Sequence, residues 1–235
     1  MSTTRTRQYS PSASSSQTLA PLARTVAIFG AGRVGTALAR SLVAAGYDVR
    51  VVGSGPPSGI ALIIDVLAPG AVAMAARDAV HGADVVILAV PLHKVDTVAP
   101  ELLRGKVVVD VMNYWEPVDG RLADFADGDP TTQVVSTRFA GAEMVKAFNH
   151  IGYHEIETDR RESGHHERRA LAVAGDSRAA VELVLEMVHR IGFDAVDGGG
   201  LAQSGALEAG GPVFGVRLSR PALERHLAFD GEPTH

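Results

Sequence analysis

The sequence predicts a doubly wound α/β protein with a mostly parallel sheet and a smaller C-terminal α/β lobe. Short apolar runs alternate with segments of helical periodicity from Arg24 onward. The runs ADVVILAV and GKVVVDVMN are almost wholly apolar, which is typical of strands covered by helices on both faces. This alternation favours parallel strands joined by helical crossovers.

Composition narrows the class of protein. A chain of 235 residues, 46% of them hydrophobic, can fill one large domain or a domain with a smaller lobe. The net charge of −5, without a basic stripe, gives no sign of a nucleic-acid partner. The absence of cysteine excludes disulfides, thiolate nucleophiles and cysteine-based zinc sites. The longest apolar stretch is broken by Asp65, Pro69 and Gly70, so we expect a cytoplasmic protein without a membrane span.

The chain divides into three predicted segments. Residues 1–22 are rich in Ser and Thr and lack an apolar period, which predicts a disordered tail, with an organelle transit peptide as the alternative. Residues 23–150 form the predicted dinucleotide-binding domain. Residues 151–235 form a lobe that we expect to complete a second-substrate pocket and to contribute contacts in a homodimer.

Some elements are predicted from single residues. Pro91 is expected to open a helix, because its missing N–H costs nothing there. Asp176 is expected to cap a helix that ends at Gly192. The polar, charged stretch of residues 154–169 predicts an exposed loop.

A glycine fingerprint follows the first predicted strand. FGAGRVGTA fits G-x-G-x-x-G through Gly30, Gly32 and Gly35, and it opens a predicted helix. In a Rossmann fold the first glycine allows the tight turn, the second lets the backbone approach the pyrophosphate, and the third lets helix and strand pack closely. The helix N-terminus adds unpaired N–H groups for the phosphates. The sequence therefore predicts a dinucleotide site.

The end of the second predicted strand indicates which dinucleotide is bound. Gly53 and Ser54 stand where NAD-binding chains usually carry an acid that accepts hydrogen bonds from the ribose and repels a phosphate. Ser54 can donate to a phosphate oxygen, and the amides of Gly53 and Gly55 can come close. Arg33 could pair with the phosphate or lie over the adenine. NADP is favoured over NAD, while Ser54 could alternatively cap the next helix.

A family resemblance extends from about Thr25 to Glu208. The ordered motifs VAIFGAGRVGTALARSLVAAGYDVRVVGS, ADVVILAVP, VVVDVMN, VKAFNHIG, VAGDS and GFDAVDGGGLAQSGALE resemble the deazaflavin-dependent (coenzyme F-420) NADP oxidoreductases. They are also similar to the cytosolic reductase domain of STEAP-type metalloreductases. The resemblance implies a Rossmann fold and hydride transfer between NADP(H) and a deazaflavin or flavin-type carrier.

The resemblance also implies roles for individual residues. The pyrophosphate loop is matched by Gly30, Ala31, Gly32, Arg33, Val34 and Gly35. Gly53 and Ser54 match a signature for the 2′-phosphate, but Gly55 replaces the family's arginine. The ribose and nicotinamide positions are matched by Ala89, Val90, Pro91, Asn113 and Ala147, and the second-substrate positions by Asn149, Leu201 and Ser204.

Competing functions depend on other side chains. Trp115 could stack on an aromatic substrate, or it could be a core or interface aromatic. Reduction of a small carbonyl or imine compound by NADPH would need a proton donor, for which His150 is the first candidate. The other candidates are Tyr114, Lys146, Tyr153 and His154. A sensor that binds NADP(H) without turnover is the third alternative. No metal site is expected, since the histidine pairs near residues 150 and 165 are not on one helix.

Overall fold

The computed structural model describes residues 25–125 and 128–229 and shows one sheet of eight strands. The strands are β1 (Thr25–Phe29), β2 (Asp48–Val52), β3 (Val72–Ala73), β4 (Val85–Leu88), β5 (Val107–Asp110), β6 (Glu143–Lys146), β7 (Ala170–Gly175) and β8 (Asp194–Asp197). The α-helices are α1 (Arg33–Ala44), α2 (Ala61–Leu67), α3 (Ala76–Val80), α4 (Glu116–Asp119), α5 (Thr131–Arg138), α6 (Glu155–Thr158), α7 (Arg178–Ile191) and α8 (Arg220–Phe229).

The strand order, β3-β2-β1-β4-β5-β6-β7-β8, confirms the predicted doubly wound α/β class. Strands β1 to β6 are parallel, with Ile28 of β1 paired with Val51 of β2 and with Ile87 of β4. Strand β7 is antiparallel to β6, with Lys146 opposite Ala174, and β8 is parallel to β7. The first six strands therefore share one carboxyl edge, and β7 and β8 run the other way.

Both faces of the sheet are covered. Val26 and Ile28 of β1 face a core layer that contains buried residues of α1 and α7. Ala27 and Phe29 face the opposite layer, which contains α3, α5 and the 3-10 turns between β4 and β5. Because successive residues of a strand point to opposite faces, a strand between two layers must be apolar throughout. This explains the uninterrupted apolar runs in the sequence.

Three local predictions were wrong. Pro91 is followed by 3-10 turns at Leu92–Thr97 and Pro100–Leu102 rather than by an α-helix. The N-cap of α7 is Ser177, whose side chain accepts a hydrogen bond from the Ala180 amide, and Asp176 instead accepts from the Leu201 amide. Residues 154–169 are not all an exposed loop, because they contain α6 and a fully buried Arg169.

The ion pairs of the buried Arg169 explain why residues 154–169 do not form an exposed loop throughout. Arg169 pairs with Glu155 and Asp159 at 3.0 Å each, and it also donates to the Val216 carbonyl. A buried guanidinium needs opposite charge beside it, and here two acids of the same segment pair with Nη1, although Nε has no hydrogen-bond partner among the described residues. The predicted tail at residues 1–22 lies outside the described residues. Within the described ranges, no helix is both long enough and apolar enough to span a bilayer.

Candidate dinucleotide site and substrate cavity

Gly30 and Gly35 of the glycine loop are tightly packed. Gly30 has φ +122°, and a Cβ there would lie 2.3 Å from the Ala89 carbonyl oxygen. A Cβ at Gly35 would lie 1.9 Å from the Gly30 carbonyl oxygen. By contrast, a Cβ at Gly32 would meet no atom within 4 Å. The loop is thus tightly packed at Gly30 and Gly35, and it is open at Gly32.

The open glycine lies at the N-terminus of α1. Gly32 is the N-cap, no side chain caps the helix, and the first turn carries no acidic residue. Thr36 Oγ1 donates back to the Gly32 carbonyl oxygen at 2.9 Å, and no side chain accepts from the N-cap amides of the first turn. Unpaired first-turn amides and the positive end of the helix dipole attract anions. The loop therefore fits a pyrophosphate.

The loop after β2 has one packed side and one open side. A Cβ at Gly53 would lie 2.9 Å from Cγ2 of Ile60, so this glycine packs against the residue that begins α2. Ser54 and Gly55 are exposed, and a Cβ at Gly55 would meet nothing within 4 Å. Ser54 does not cap a helix, because the following 3-10 turn, Pro57–Gly59, has Pro56 as its N-cap and no side-chain cap. Its hydroxyl faces solvent at the position predicted for the 2′-phosphate.

Arg33 projects from the first turn of α1 and is exposed. Its guanidinium carbon lies 5.8 Å from the centroid of the Tyr153 ring, and that ring lies 3.9 Å from the His154 ring, tilted by 39°. Within the described ranges Arg33 has no carboxylate partner. A guanidinium held by an aromatic face keeps its N–H donors available for an anion.

A cavity of about 310 Å³ opens beside the glycine loop, at the carboxyl ends of β4 and β5. Its wall is mainly apolar and is formed by Val34, Ala89, Val90, Pro91, Leu92, Val111, Met112, Asn113, Trp115 and Asp119. Trp115 is half exposed and meets Phe214 edge-on, with ring centroids 6.5 Å apart. Ligands of open α/β sheets bind at this edge. Phe214 and Asp119 were missed in the sequence, since neither belongs to a motif.

An amide pair fixes the polar part of this wall. Asn113 donates to the Asn149 carbonyl oxygen at 2.8 Å, and Asn149 Nδ2 donates to Asn113 Oδ1 at 3.0 Å. Asn149 Nδ2 also donates to the Leu207 carbonyl oxygen at 2.6 Å. The preceding residue, Phe148, is buried with φ +60°, a rare conformation for a bulky residue that is found where the surroundings fix it. Asn113 faces the cavity, whereas Asn149 is buried behind it.

His150 does not fit the predicted role of proton donor. It is 2% exposed, and its Nε2 accepts from the Ala172 amide at 3.1 Å, so Nδ1 carries the proton and donates to Asn149 Oδ1 at 3.2 Å. Burial, together with the charges of Arg169 and Lys146, lowers the pKa of His150 to about 3. The ring is therefore neutral near pH 7, and both nitrogens are occupied.

Lys146 is also unsuited to proton transfer. It is fully buried, and its ammonium donates to the Met112 carbonyl and lies 3.5 Å from Asp110. Asp110 is held by the Met112 amide at 2.8 Å and by the Thr132 hydroxyl at 2.6 Å. This network fixes the end of β5 directly behind the cavity. Its acid at Asp110 was missed because it ends an apolar run without any motif.

Several other predicted positions lie away from the cavity wall. Ala147 is fully buried in the core layer below the sheet edge. Leu201 and Ser204 are buried in a 3-10 turn, where the Ser204 hydroxyl donates to the Leu201 carbonyl. Tyr114 donates to the Gly120 carbonyl at 3.2 Å and stacks on Phe125. Within residues 25–125 and 128–229, no three His, Asp or Glu side chains are grouped so as to hold a metal ion.

Comparison with known proteins identifies the family. Residues 25–114 match the family model described as NADP oxidoreductase, coenzyme F420-dependent. The hypothetical protein SMa0349 of Sinorhizobium meliloti is 31% identical in sequence, with a TM-score of 0.72, and the match covers 84% of this chain and 96% of that one. The chain belongs to the coenzyme F420-dependent NADP oxidoreductase family. The protein is thus an NADP-dependent oxidoreductase, as the resemblance implied.

Other structures share the fold of this F420-dependent oxidoreductase family member. A protein from Arthrobacter sp. FB24, described as a putative F420-dependent NADP reductase, is 22% identical with a TM-score of 0.66 over 84% of this chain and all of that one. An imine reductase from Myxococcus stipitatus in complex with NADP⁺ is 19% identical with a TM-score of 0.57 over 88% of this chain and 60% of that one. No curated protein sequence that was compared matches the chain.

Proposed function

We propose that the protein transfers a hydride between NADP(H) and a deazaflavin or flavin-type carrier. The observation that carries this proposal is the composition of the cavity wall. The ten residues that line the cavity include no His, Lys, Tyr, Ser or Thr. The wall therefore offers apolar surface, the amide of Asn113 and the carboxylate of Asp119, whose oxygens are engaged by the Trp115 amide and by His93, and it offers no His, Lys or Tyr side chain that could give a proton to a substrate.

Hydride exchange between two rings requires little more than such a wall. When bound, NADP(H) would supply or accept the hydride at its nicotinamide ring, and a flavin-type carrier would exchange that hydride at a ring atom and the accompanying proton with water. The protein contributes position, because two flat rings must meet face to face at close distance. Reduction of a carbonyl or an imine would in addition need a positioned proton donor.

The described residues can hold the dinucleotide along the carboxyl edge. The open N-terminus of α1 at Gly32 fits the pyrophosphate, and the exposed Ser54 and Gly55 fit a 2′-phosphate. Arg33 supplies a cation where Gly55 lacks one. The cavity beside Val90 and Asn113 fits the nicotinamide end. Trp115 in the cavity wall, with Phe214 packed edge-on against it, offers an aromatic face to a second ring.

The polar residues of the wall have positioning roles in this proposal. One side-chain N–H of Asn113 donates to the Asn149 carbonyl oxygen. The second N–H is available to an amide or carbonyl oxygen of a bound ring. Asp119 is occupied, since its Oδ2 accepts from the Trp115 amide at 2.9 Å and its Oδ1 lies 3.4 Å from His93. Asp119 therefore holds the backbone that presents Trp115 to the cavity.

An acceptor screen tests this proposal. Under anaerobic conditions, we expect NADPH oxidation with a deazaflavin or a free flavin and none with small carbonyl compounds or cyclic imines. Trp115→Ala should raise KM for the carrier several-fold, whereas Trp115→Phe, which keeps an aromatic face, should stay near the parent value. Turnover with imines alone would support the carbonyl or imine reductase. NADPH binding without turnover on any acceptor would support a sensor.

A further inference from the structure

A second, shallow cavity of about 450 Å³ lies between the C-terminal end of α7 and the segment that follows α6. It shares no lining residue with the cavity beside the glycine loop. Its wall consists of Arg160, Arg161, Glu162, Ser163, Arg168, His189, Arg190, Ile191 and Gly192, and we call it the arginine cavity. A wall with four arginines and one acid is unusual in a chain whose net charge is −5.

The backbone around the arginine cavity is fixed by close packing. Gly192 has φ +123°, and a Cβ there would lie 3.1 Å from Cβ of Arg160, so glycine lets the two segments meet. The Arg161 amide donates to the Gly192 carbonyl oxygen at 3.0 Å and closes the same contact. These contacts use backbone and Cβ atoms. The shape of the cavity therefore does not depend on the guanidinium groups of Arg160 and Arg161.

Arg168 is the buried member of the wall, with 4% of its surface exposed. Its Nη2 donates to the carbonyl oxygens of His189 at 2.6 Å and Phe193 at 2.8 Å, and its Nη1 donates to that of Arg161 at 3.1 Å. Its Nε lies 3.1 Å from Asp194 Oδ1 but makes no hydrogen bond within the described ranges. Arg168 thus joins the two segments and keeps a positive charge inside the wall.

Two other arginines of the wall form no ion pair with a carboxylate of residues 25–125 and 128–229, namely Arg160 and Arg161. Among the described residues, the Arg161 guanidinium donates only through Nη1, to the carbonyl oxygens of Thr158 and Arg160 at 2.8 Å each. Glu157, which acts on Arg160 electrostatically, is held by two bonds of 2.6 Å to Arg40. Both guanidinium groups therefore keep N–H donors for an anion.

Two features of the wall oppose an anion. The C-terminal end of α7 carries a partial negative charge, which the bond from Arg168 to the His189 carbonyl offsets. Glu162 adds a full negative charge, but it is exposed, so water and salt screen it. The guanidinium of Arg190, placed over the Tyr47 ring at 4.3 Å, adds a further positive charge. The wall as a whole remains positive.

The chemistry of the wall indicates the class of ligand. A guanidinium matches the oxygens of a carboxylate or a phosphate in geometry as well as in charge. One carboxylate needs one such group, so four arginines around one cavity suit an anion with several negative charges. The wall contains no Phe, Tyr or Trp on which a nucleobase could stack, and Ile191 is its only aliphatic side chain. A volume of 450 Å³ is in the range of small-molecule sites.

We propose that the arginine cavity is a second ligand site, which binds a small polyvalent oxyanion through Arg160, Arg161 and Arg190. The shared chemistry covers a phosphate ester and a polycarboxylate. The site uses the charged segment after α6, which takes no part in the dinucleotide site. The inference is independent of the carrier used in hydride transfer.

Calorimetric titration with pyrophosphate tests the proposal. The full chain is first saturated with NADP⁺, so that the open N-terminus of α1 is occupied and cannot take the probe. We expect saturable binding of pyrophosphate that weakens as NaCl is raised. Citrate should also bind, and acetate much more weakly, since it carries one charge. Tighter binding of pyrophosphate would identify a phosphate site, and tighter binding of citrate a polycarboxylate site. No saturable binding of either would overturn the proposal.

Substitutions locate the binding. Arg160→Gln/Arg161→Gln should weaken pyrophosphate by about tenfold or more, with thermal stability near the parent value because backbone contacts hold the cavity. Glu162→Gln should tighten it, a gain that a folding defect cannot produce. The matched control is Arg178→Gln, at an 87% exposed side chain at the other end of α7, which should bind as the parent does.

Three results would overturn the proposal at this level. The first is parent affinity in the double variant, and the second is weaker binding in Glu162→Gln. The third concerns residues 230–235, which read DGEPTH and carry two acids. Their removal should leave the affinity for pyrophosphate unchanged. Binding that appears only after their removal would show that this acidic segment occupies the cavity in place of a separate ligand.

Discussion

Gly32 and Gly35 stand three residues apart in one loop, yet the structure gives them opposite surroundings. A Cβ at Gly35 would be 1.9 Å from a carbonyl oxygen, whereas a Cβ at Gly32 would meet nothing within 4 Å. Gly32 also has φ −83°, which any residue can adopt. Gly35 is required by the packing of the fold itself. Gly32 has open space around it, so only the approach of a ligand requires a glycine there.

This contrast predicts different effects for the same substitution. Gly35→Ala should lower the free energy of unfolding by about 1–3 kcal/mol through overpacking, and NADPH binding should weaken with it. Gly32→Ala should leave thermal stability near the parent value and still weaken NADPH at least tenfold, because the methyl group occupies the path of the pyrophosphate. Thermal unfolding and a fluorescence titration measure the two effects. Normal NADPH affinity in Gly32→Ala would contradict the placement of the pyrophosphate.

The buried His150 predicts a pH-dependent stability. Its pKa of about 3 in the folded protein lies below the ordinary value of 6.5, so the unfolded chain binds more protons between these values. Stability should therefore fall as pH decreases from about 6.5 towards 3, by up to about 1.4 kcal/mol per pH unit from this group. His150→Gln removes the titrating ring and should flatten that slope. Urea unfolding at several pH values measures it, and equal slopes in both proteins would count against the buried neutral imidazole.

At the scale of elements, we propose that the loop after β2 discriminates NADPH from NADH. Ser54 and Gly55 are exposed beside a packed Gly53, so a substitution at Ser54 changes the charge near the ligand with little effect on packing. Ser54→Asp should weaken NADPH by about tenfold, equal to 1.4 kcal/mol, and affect NADH much less. Ser58→Asp, which adds the same charge four residues later at another exposed serine, is the control. An equal loss of affinity for NADPH and NADH in Ser54→Asp would show that Ser54 does not contact the 2′-phosphate.

The helices and strands could be predicted where periodicity is strong. The buried strands and the helices α1 and α7 follow directly from apolar spacing and glycine stops. The segment after Pro91 could not, because a run of 3-10 turns and a short helix have similar composition. Residues 154–169 were misread as an exposed loop because their charges pair with one another inside the fold, as Arg169 does with Asp159. Composition records the charges but not their partners.

At the scale of the whole molecule, the reversal of strand direction between β6 and β7 determines how the C-terminal part of the chain returns to Asn149 and Thr131. Because β7 and β8 run against the first six strands, the chain leaves β8 at the far edge and returns along the sheet. The turn at Leu201–Leu207 ends where Leu207 meets Asn149 and Glu208 meets Thr131. An apolar strand has the same pattern in either direction, so the sequence predicts that the lobe extends the sheet but not its orientation.

A substitution of Glu208 tests whether this contact joins the C-terminal lobe to α5. Its carboxylate accepts from the Thr131 amide at 2.6 Å and from the Thr131 hydroxyl at 2.8 Å, and it lies 4.0 Å from buried Lys146. Glu208→Ala should lower the free energy of unfolding by about 1–3 kcal/mol, because buried donors lose their acceptor. Glu224→Ala on α8, where the carboxylate is half exposed, should change it by less than about 0.5 kcal/mol. Equal effects in denaturant unfolding would contradict the role of Glu208 in joining the lobe to α5.

The central claim is direct hydride transfer from NADPH to a ring-type carrier, and isotope transfer tests it most directly. The protein is mixed anaerobically with NADPH that carries deuterium at both C4 positions of the nicotinamide and with an oxidised deazaflavin, whose C–H bond formed on reduction does not exchange with water. Mass spectrometry should find the deuterium on the reduced carrier and NADP⁺ in equal amount. A carrier that stays oxidised, or that is reduced without the label, would contradict the account.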